Sequence, residues 1–286
     1  MPRPFTWLDV FTQTPMTGNP LVVVHEADGL DEAAMLAFAR ETRMSETTFV
    51  QAATVAGADY RNRIFDSRGE LSLAGHPTLG TAVAVAQRRG EASASYVQQT
   101  PSGLQPIDVQ FHDGGRAARA STLQEPAIHG RLADTCEVFA AAALLVADAD
   151  PDLPAQEMST GYRHLVAIVR DETVLERCAS RLELLAPLLD RHGCGVLTLA
   201  AVGPVAGTAR VRAFFPAFGA VTEDPATGSA AGALCAYLER RCGWQGVSIE
   251  QGVAMGRPSR IEAEMAGDRV RVAGDVVILA TGQLSL

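Results

Sequence analysis

The chain has no apolar run approaching the ~20 residues that a membrane helix needs, so no membrane partner is expected. It has no surplus of positive charge: 24 Lys and Arg stand against 33 Asp and Glu, a formal net charge of −9. That balance argues against a nucleic-acid partner. It has no CxxC and no Cys/His cluster at zinc spacing, so no metal is expected. The 5 cysteines, Cys136, Cys178, Cys194, Cys235 and Cys242, are scattered, as free and mostly buried thiols in a reducing cytoplasm would be. Neither a G-x-x-x-x-G-K-[ST] loop nor a G-x-G-x-x-G after a strand is present, which removes the familiar nucleotide fingerprints. The opening MPRPFTWLDVFTQ has no basic stretch leading into an apolar one, so a cytoplasmic protein without a secretory signal is expected.

What is present is an ordinary globular composition, 47% hydrophobic and 20% charged, over 286 residues. That length favours two domains or one large one. The sequence repeats itself. Residues 17–50 and 160–198 each open with Thr-Gly, continue through a short Val/Leu/Ile strand and a charged turn, and pass through an amphipathic helix into another strand. Residues 61–89 (RNRIFDSRGELSLAGHPTLGTAVAV onward) and 210–241 (RVRAFFPAFGAVTEDPATGSAAGALCAYL onward) form a second matched unit. Arg61 matches Arg210 and Thr78 matches Thr227, both at an offset of 149. Duplication of one half is the expectation. Strands are expected at 5–11, 20–25, 48–54, 59–66, 94–99 and 105–111, with a hairpin turn at 112–115. Asp31 is placed to cap a helix over 32–42. A linker is expected around residues 124–130, followed by a helix in LADTCEVFAAAALLV. The predicted halves are 1–126, with a central helix at 77–89, and 127–286, with a central helix at 228–241. Both central helices begin apolar on nearly every face, so they should be buried. The expected class is α+β: two pseudo-symmetric halves, each a curved, mostly antiparallel sheet wrapped around a central helix.

The chemistry is expected where those helices start. Pro77 suits the first helical position, which makes His76 the cap of the first. Thr227 is placed to cap the second. Unpaired N–H groups and the positive dipole end at Gly75 and at Gly228–Ser229 suit a carboxylate or phosphate. Halves packed about a pseudo-two-fold axis would set the two helix starts across one cleft. Glu46, where a helix hands over to a strand, is a candidate general acid/base whose pKa burial would raise. Each piece has a plainer reading: a buried cap for Gly75–Gly80, a structural histidine at 76, a polar turn at Ser45-Glu46, a solvated turn at Glu223-Asp224.

Taken together, five stretches resemble the PhzF family of phenazine-biosynthesis-type isomerases, which share the diaminopimelate epimerase fold. They are Asp9-Val10-Phe11 with Gly18-Asn19-Pro20-Leu21; Ser45-Glu46-Thr47-Thr48-Phe49; Glu70 with Ala74-Gly75-His76-Pro77-Thr78-Leu79-Gly80; Glu223 through Ala230; and Gln251-Gly252 with Met255-Gly256-Arg257-Pro258-Ser259. The resemblance implies a homodimer without a cofactor, acting on a small-molecule carboxylate substrate. It implies that Glu46 is the acid/base, that His76, Asp224 and Ser229 hold and polarise the substrate, and that N–H groups near Gly75 and Gly228–Ser229 take its carboxylate. The implied reaction moves a proton between carbons of a dihydro-hydroxyanthranilate ring, after which an enol becomes a ketone. The related epimerases use two opposed cysteines, and both loops here lack them. Phe65 through Glu70 and Leu71-Ser72-Leu73 depart from the family pattern, so the substrate is open. A non-catalytic carboxylate-binding protein and an amino-acid epimerase of the same fold are the alternatives.

Overall fold

The computed structural model describes residues 2–72, 75–203, 205–217 and 219–286, with only the backbone of Asp113. Leu73 and Ala74, within two of the stretches singled out above, and Phe218 of the second repeat lie outside the described residues. The chain is α+β and divides into two compact units, residues 1–123 with 273–286, and residues 124–272. The division at 126/127 expected from sequence therefore differs at the C-terminal end.

The first unit runs β1 (Pro2–Val10), β2 (Asn19–Val24), α1 (Glu32–Thr42), β3 (Thr47–Gln51), β4 (Tyr60–Phe65), β5 (Glu70–Leu71), α2 (Gly75–Arg89), β6 (Ser93–Thr100), β7 (Gly103–His112) and β8 (Ala117–Leu123). Asp31 caps α1 as expected, its carboxylate accepting from Ala34 N at 2.7 Å. The helix packs Met35 and Ala39 against Val22, Val24, Phe49 and Phe65, where Phe49 meets Phe65 edge-on at 5.6 Å between centroids. Side chains alternate across a strand, so Leu21, Val23 and Thr48 face the other way. That other side holds α2, which is buried continuously from His76 to Ala86 and contacts β1, β2, β3, β4, β6, β7 and β8. Pairing is antiparallel except for β2 with β3 and β4 with β6.

The second unit runs β9 (Ile128–Leu132), α3 (Thr135–Ala141), β10 (Gln156–Ser159), β11 (Arg163–Val169), α4 (Glu172–Arg177), α5 (Leu182–His192), β12 (Val196–Val202), β13 (Thr208–Ala217), β14 (Ala220–Asp224), α6 (Gly228–Cys242), β15 (Gly246–Gln251), β16 (Ser259–Ala266) and the start of β17 (Arg269–Ser285). The helices α3, α4 and α5 cover Leu165, Ala167, Leu197, Leu199 and Phe214. The helix α6 is buried on the other side, with contacts to β10, β11, β15 and β16.

Three expectations are corrected. Of the linker expected around 124–130, residues 124–127 carry no helix or strand, but 128–130 already belong to strand β9, paired with β10; its exposed Ile128 and Leu132 and its His-Gly pair disguise it. The expected helix in 132–146 is confined to Thr135–Ala141, because Ala143 takes a left-handed φ of 56° and turns the chain away. The last strand belongs with the first unit, since Val276–Ser285 pairs along the whole of β1 from Val10 to Pro2.

The units share one wiring. In the first, Val22 pairs with Thr47 and Thr47 with Phe65; in the second, Leu165 pairs with Leu197 and Leu197 with Phe214. Phe65 lies opposite Glu70, and Phe214 opposite Glu223. The offset of 149 from Phe65 to Phe214 becomes 153 from Glu70 to Glu223, because the second hairpin is four residues longer. It stays 153 to the helix starts, Gly75 and Gly228. Thr78 therefore corresponds to Ala231, and Thr227 is not its counterpart; His76 corresponds to Ser229.

Candidate active site

Each helix start is reached through a strand clamped by a two-pronged ion pair. Arg63 Nε and Nη2 donate to Glu70 Oε1 and Oε2 at 2.9 and 2.6 Å. Arg212 Nε and Nη2 donate to Glu223 Oε1 and Oε2 at 2.9 and 2.7 Å. Each guanidinium also lies over a phenylalanine two residues on, Phe65 at 5.2 Å and Phe214 at 5.0 Å. These paired forks are geometrically specific. Glu223 is thus a structural brace and not part of a solvated turn. The departure at Asp66 is a closed turn: its carboxylate accepts from Arg68 N at 2.7 Å and Gly69 N at 3.0 Å.

In the first unit, Gly75 and His76 are already helical, so α2 starts two residues earlier than the expected 77 and His76 is not its cap. Proline in a first turn permits this, because no N–H is needed there. His76 is buried, and desolvation lowers its pKa to about 3, so the ring is neutral near pH 7. Its Nε2 is buried with no hydrogen-bond partner among the described residues. Glu46 Oε2 stands 3.5 Å away, beyond the range of a good hydrogen bond. Glu46 sits on the turn between α1 and β3, with 20% of its side chain exposed. Behind His76, Thr78 accepts from Gln98 Nε2 at 3.0 Å, and Gln98 accepts in turn from Asn62 at 3.1 Å.

In the second unit, Thr227 occupies the cap position of α6 without making the cap bond. Its hydroxyl donates instead to Asp224 Oδ2 at 2.6 Å. Gln251 fixes this loop, accepting from Thr227 N at 3.1 Å and donating to Asp224 O at 2.7 Å. Ser259 Oγ donates to Pro225 O at 3.1 Å. Gly252 packs so closely that a methyl group there would lie 2.5 Å from Pro225 O. Gly228 O accepts from Gln124 Nε2 at 3.0 Å. Ser229 Oγ lies 3.0 Å from His164 Nε2.

The structure therefore brings Glu46 to His76 at the start of α2 in one unit, and Asp224 to Thr227 at the start of α6, which Gly228 and Ser229 open, in the other. Sequence reasoning quoted Gln251 and Ser259 only as motif members and missed Gln98, Gln124 and His164. No local signal marks those three, since their partners lie 20, 104 and 65 positions away. Among the described residues, no group of three or more His, Cys, Asp or Glu is gathered as a metal site, and no helix is long and apolar enough to cross a membrane.

Residues 8–282 match the model of the PhzC-PhzF family, described as phenazine biosynthesis-like protein. The chain belongs to that family. It is 34% identical to a trans-2,3-dihydro-3-hydroxyanthranilate isomerase of Pseudomonas aeruginosa over 98% of each chain. A solved structure of a predicted epimerase from Pseudomonas aeruginosa is 32% identical, covers 99% of each chain and superposes with a TM-score of 0.86. A PhzF-family phenazine biosynthesis protein of Bacillus anthracis is 26% identical over 100% of each chain, with a TM-score of 0.87. The family places the chain among enzymes, as an isomerase of the PhzF type.

Proposed function

We propose that the chain moves a proton between carbons of a small unsaturated amino or hydroxy carboxylic acid resembling trans-2,3-dihydro-3-hydroxyanthranilate, with Glu46 as the general acid/base. The observation that carries this reading is Glu46 standing 3.5 Å from a buried His76 whose Nε2 has no hydrogen-bond partner among the described residues. A buried polar atom left unpaired costs about 1–3 kcal/mol. A ligand oxygen or nitrogen that reached it would recover that energy. His76, neutral at physiological pH, orients such a substituent as a hydrogen-bonding group without contributing charge.

One carboxylate can take a proton from one carbon and return it at another on the same face, which is isomerisation. Inversion needs a second group on the opposite face, and the loops at Gly75 and Gly228 carry no cysteine for it. In this reading Asp224 and Ser229 hold polar substituents of the substrate, and N–H groups near Gly75 and Gly228 take its carboxylate. The epimerase-like arrangement of two halves, each wrapped on a central helix, a homodimeric assembly and turnover without a cofactor belong to the same reading.

The test is proton exchange. In D₂O with trans-2,3-dihydro-3-hydroxyanthranilate, the wild-type protein should isomerise the acid or wash deuterium into its ring, followed by NMR. Glu46→Gln should keep the fold and lose about 10²–10⁴ in rate, the range for a positioned acid/base. Near-normal turnover in that variant removes Glu46 from the role. A wild type that binds the acid without exchange favours a carboxylate-binding protein.

A further inference from the structure

His164 lies on β11, fully buried, with both ring nitrogens engaged: Nδ1 is 3.0 Å from Thr198 Oγ1 on β12, and Nε2 is 3.0 Å from Ser229 Oγ at the start of α6. The chain contains its own control for what the fold needs there. The shared register pairs Leu165 with Leu197 as it pairs Val22 with Thr47, so His164 corresponds to Leu21 and Thr198 to Thr48. Leu21 is also fully buried and makes an ordinary apolar contact on α2, within 2.6 Å of where a methyl group on Gly80 would sit. The same strand-to-helix packing is therefore built with leucine in one unit and histidine in the other. Burying an imidazole costs free energy that leucine does not, so the packing alone does not explain the histidine. Its ring ends on Ser229, the counterpart of His76.

We propose that His164 is a positioning residue which holds the Ser229 hydroxyl as a hydrogen-bond donor toward a substrate oxygen. Burial lowers the pKa of the ring to about 3, so it is neutral and carries one N–H. Thr198 is assigned the donor role at Nδ1. With the Thr198 hydroxyl donating to Nδ1, the proton sits on Nε2 and is donated to Ser229 Oγ. The Ser229 O–H is then left to point outward and donate. In the opposite tautomer Ser229 must donate to Nε2, and it has only lone pairs to offer an anion. The chain Thr198 to His164 to Ser229 thus turns a hydroxyl that could accept or donate into a donor of fixed direction. A preset donor loses little freedom when it binds the ligand.

This inference rests on the isomerase reading for the identity of the acid, and the experiment separates the two. Binding of 3-hydroxyanthranilate and turnover of trans-2,3-dihydro-3-hydroxyanthranilate are measured for the wild type, Ser229→Ala, His164→Leu, His164→Gln and the Ser229→Ala/His164→Leu double variant, with melting temperatures alongside. His164→Leu recreates the pairing seen at Leu21 and should fold. Each of Ser229→Ala and His164→Leu should weaken binding and kcat/KM by about 10- to 100-fold, the worth of a hydrogen bond to a charged group. The double variant should be no worse than Ser229→Ala, and His164→Gln, whose amide can donate from the same place, should recover most of the loss. In ¹⁵N NMR of the wild type, His164 should carry its proton on Nε2. Additive losses in the double variant, or a proton on Nδ1, overturn the inference while leaving the isomerase reading intact. A wild type that neither binds nor converts these acids overturns that reading and this inference with it.

Discussion

In the first unit the strand entering α2 is held by Arg63 on Glu70; in the second the strand entering α6 is held by Arg212 on Glu223. The delivery is the same, down to the phenylalanine under each guanidinium. What is delivered differs. The first helix start carries a titratable pair, Glu46 and a desolvated His76. The second carries a network of hydroxyls, amides and one carboxylate around Thr227. One frame, made twice, leaves the first residues of each central helix free to be chosen for chemistry, because the ion pair and the buried helix face already fix where those residues go.

The largest effect expected on this comparison is acidification. Desolvation lowers the pKa of His25 to about 4 and of His76 and His164 to about 3, from 6.5 in an unfolded chain. A histidine with a depressed folded pKa binds fewer protons folded than unfolded. Its stability contribution is complete above pH 6.5 and is lost as pH falls from 6.5 toward the folded value. Each should contribute a slope of about 1.4 kcal/mol per pH unit in that window. Urea unfolding between pH 7 and 4.5 should show stability falling on acidification. His164→Leu should flatten that slope by one proton, and so should His76→Gln, in spite of their different neighbours. An unchanged slope in either variant would mean that its ring is already accessible to protons.

The next effect separates the two forks. Arg212 Nη1 also donates to Cys178 O at 2.9 Å and Leu175 O at 3.2 Å, closing the end of α4. Among the described residues Arg63 has no such carbonyls; its further contacts there are Glu32 at 3.4 Å and Met35 Sδ at 3.5 Å. Both pairs are only partly buried, so removing one partner should cost less than the about 3–5 kcal/mol of a fully buried pair. Arg212→Ala should cost more than Arg63→Ala, because it also removes the donor to those carbonyls. Equal midpoint shifts in denaturant would show that the α4 contacts add nothing.

Much of this frame was legible in the sequence. Asp31 announced α1, the Ala-rich runs announced both central helices, and Arg61 with Arg210 marked the repeat. The register beyond the second hairpin was not legible: a threonine in each loop, Thr78 and Thr227, invited an alignment that the four extra hairpin residues displace. Nor was the start of α2, where a proline rule pointed to 77 and the helix begins at Gly75. Of the site residues, those embedded in short motifs stood out. Those that hold them did not, because His164, Gln124 and Gln98 meet their partners only after the sheets form, and a lone buried His or Gln has no local pattern.

The smallest effect tests how closely each central helix lies on its strands. The helices correspond at an offset of 153, so Gly80 of α2 matches Ala233 of α6. A methyl group at Gly80 would lie 2.6 Å from Leu21 Cδ2, 2.9 Å from Leu8 Cδ1 and 3.0 Å from Val10 Cγ2. Ala233 is fully buried and already accommodates its methyl. Gly80→Ala gains up to about 1 kcal/mol in helix propensity against about 1–3 kcal/mol of overpacking, so a net loss of about 1 kcal/mol is expected. Ala233→Gly loses both propensity and a buried methyl, for about 1–2 kcal/mol. Both substitutions should therefore destabilise, although they are opposite changes at matched positions, and calorimetry would read them as two small drops in Tm. A Gly80→Ala variant more stable than wild type would mean that the leucine and valine side chains move aside readily. The glycine would then reflect the chain's history, and the fit of α2 to its strands would not require it.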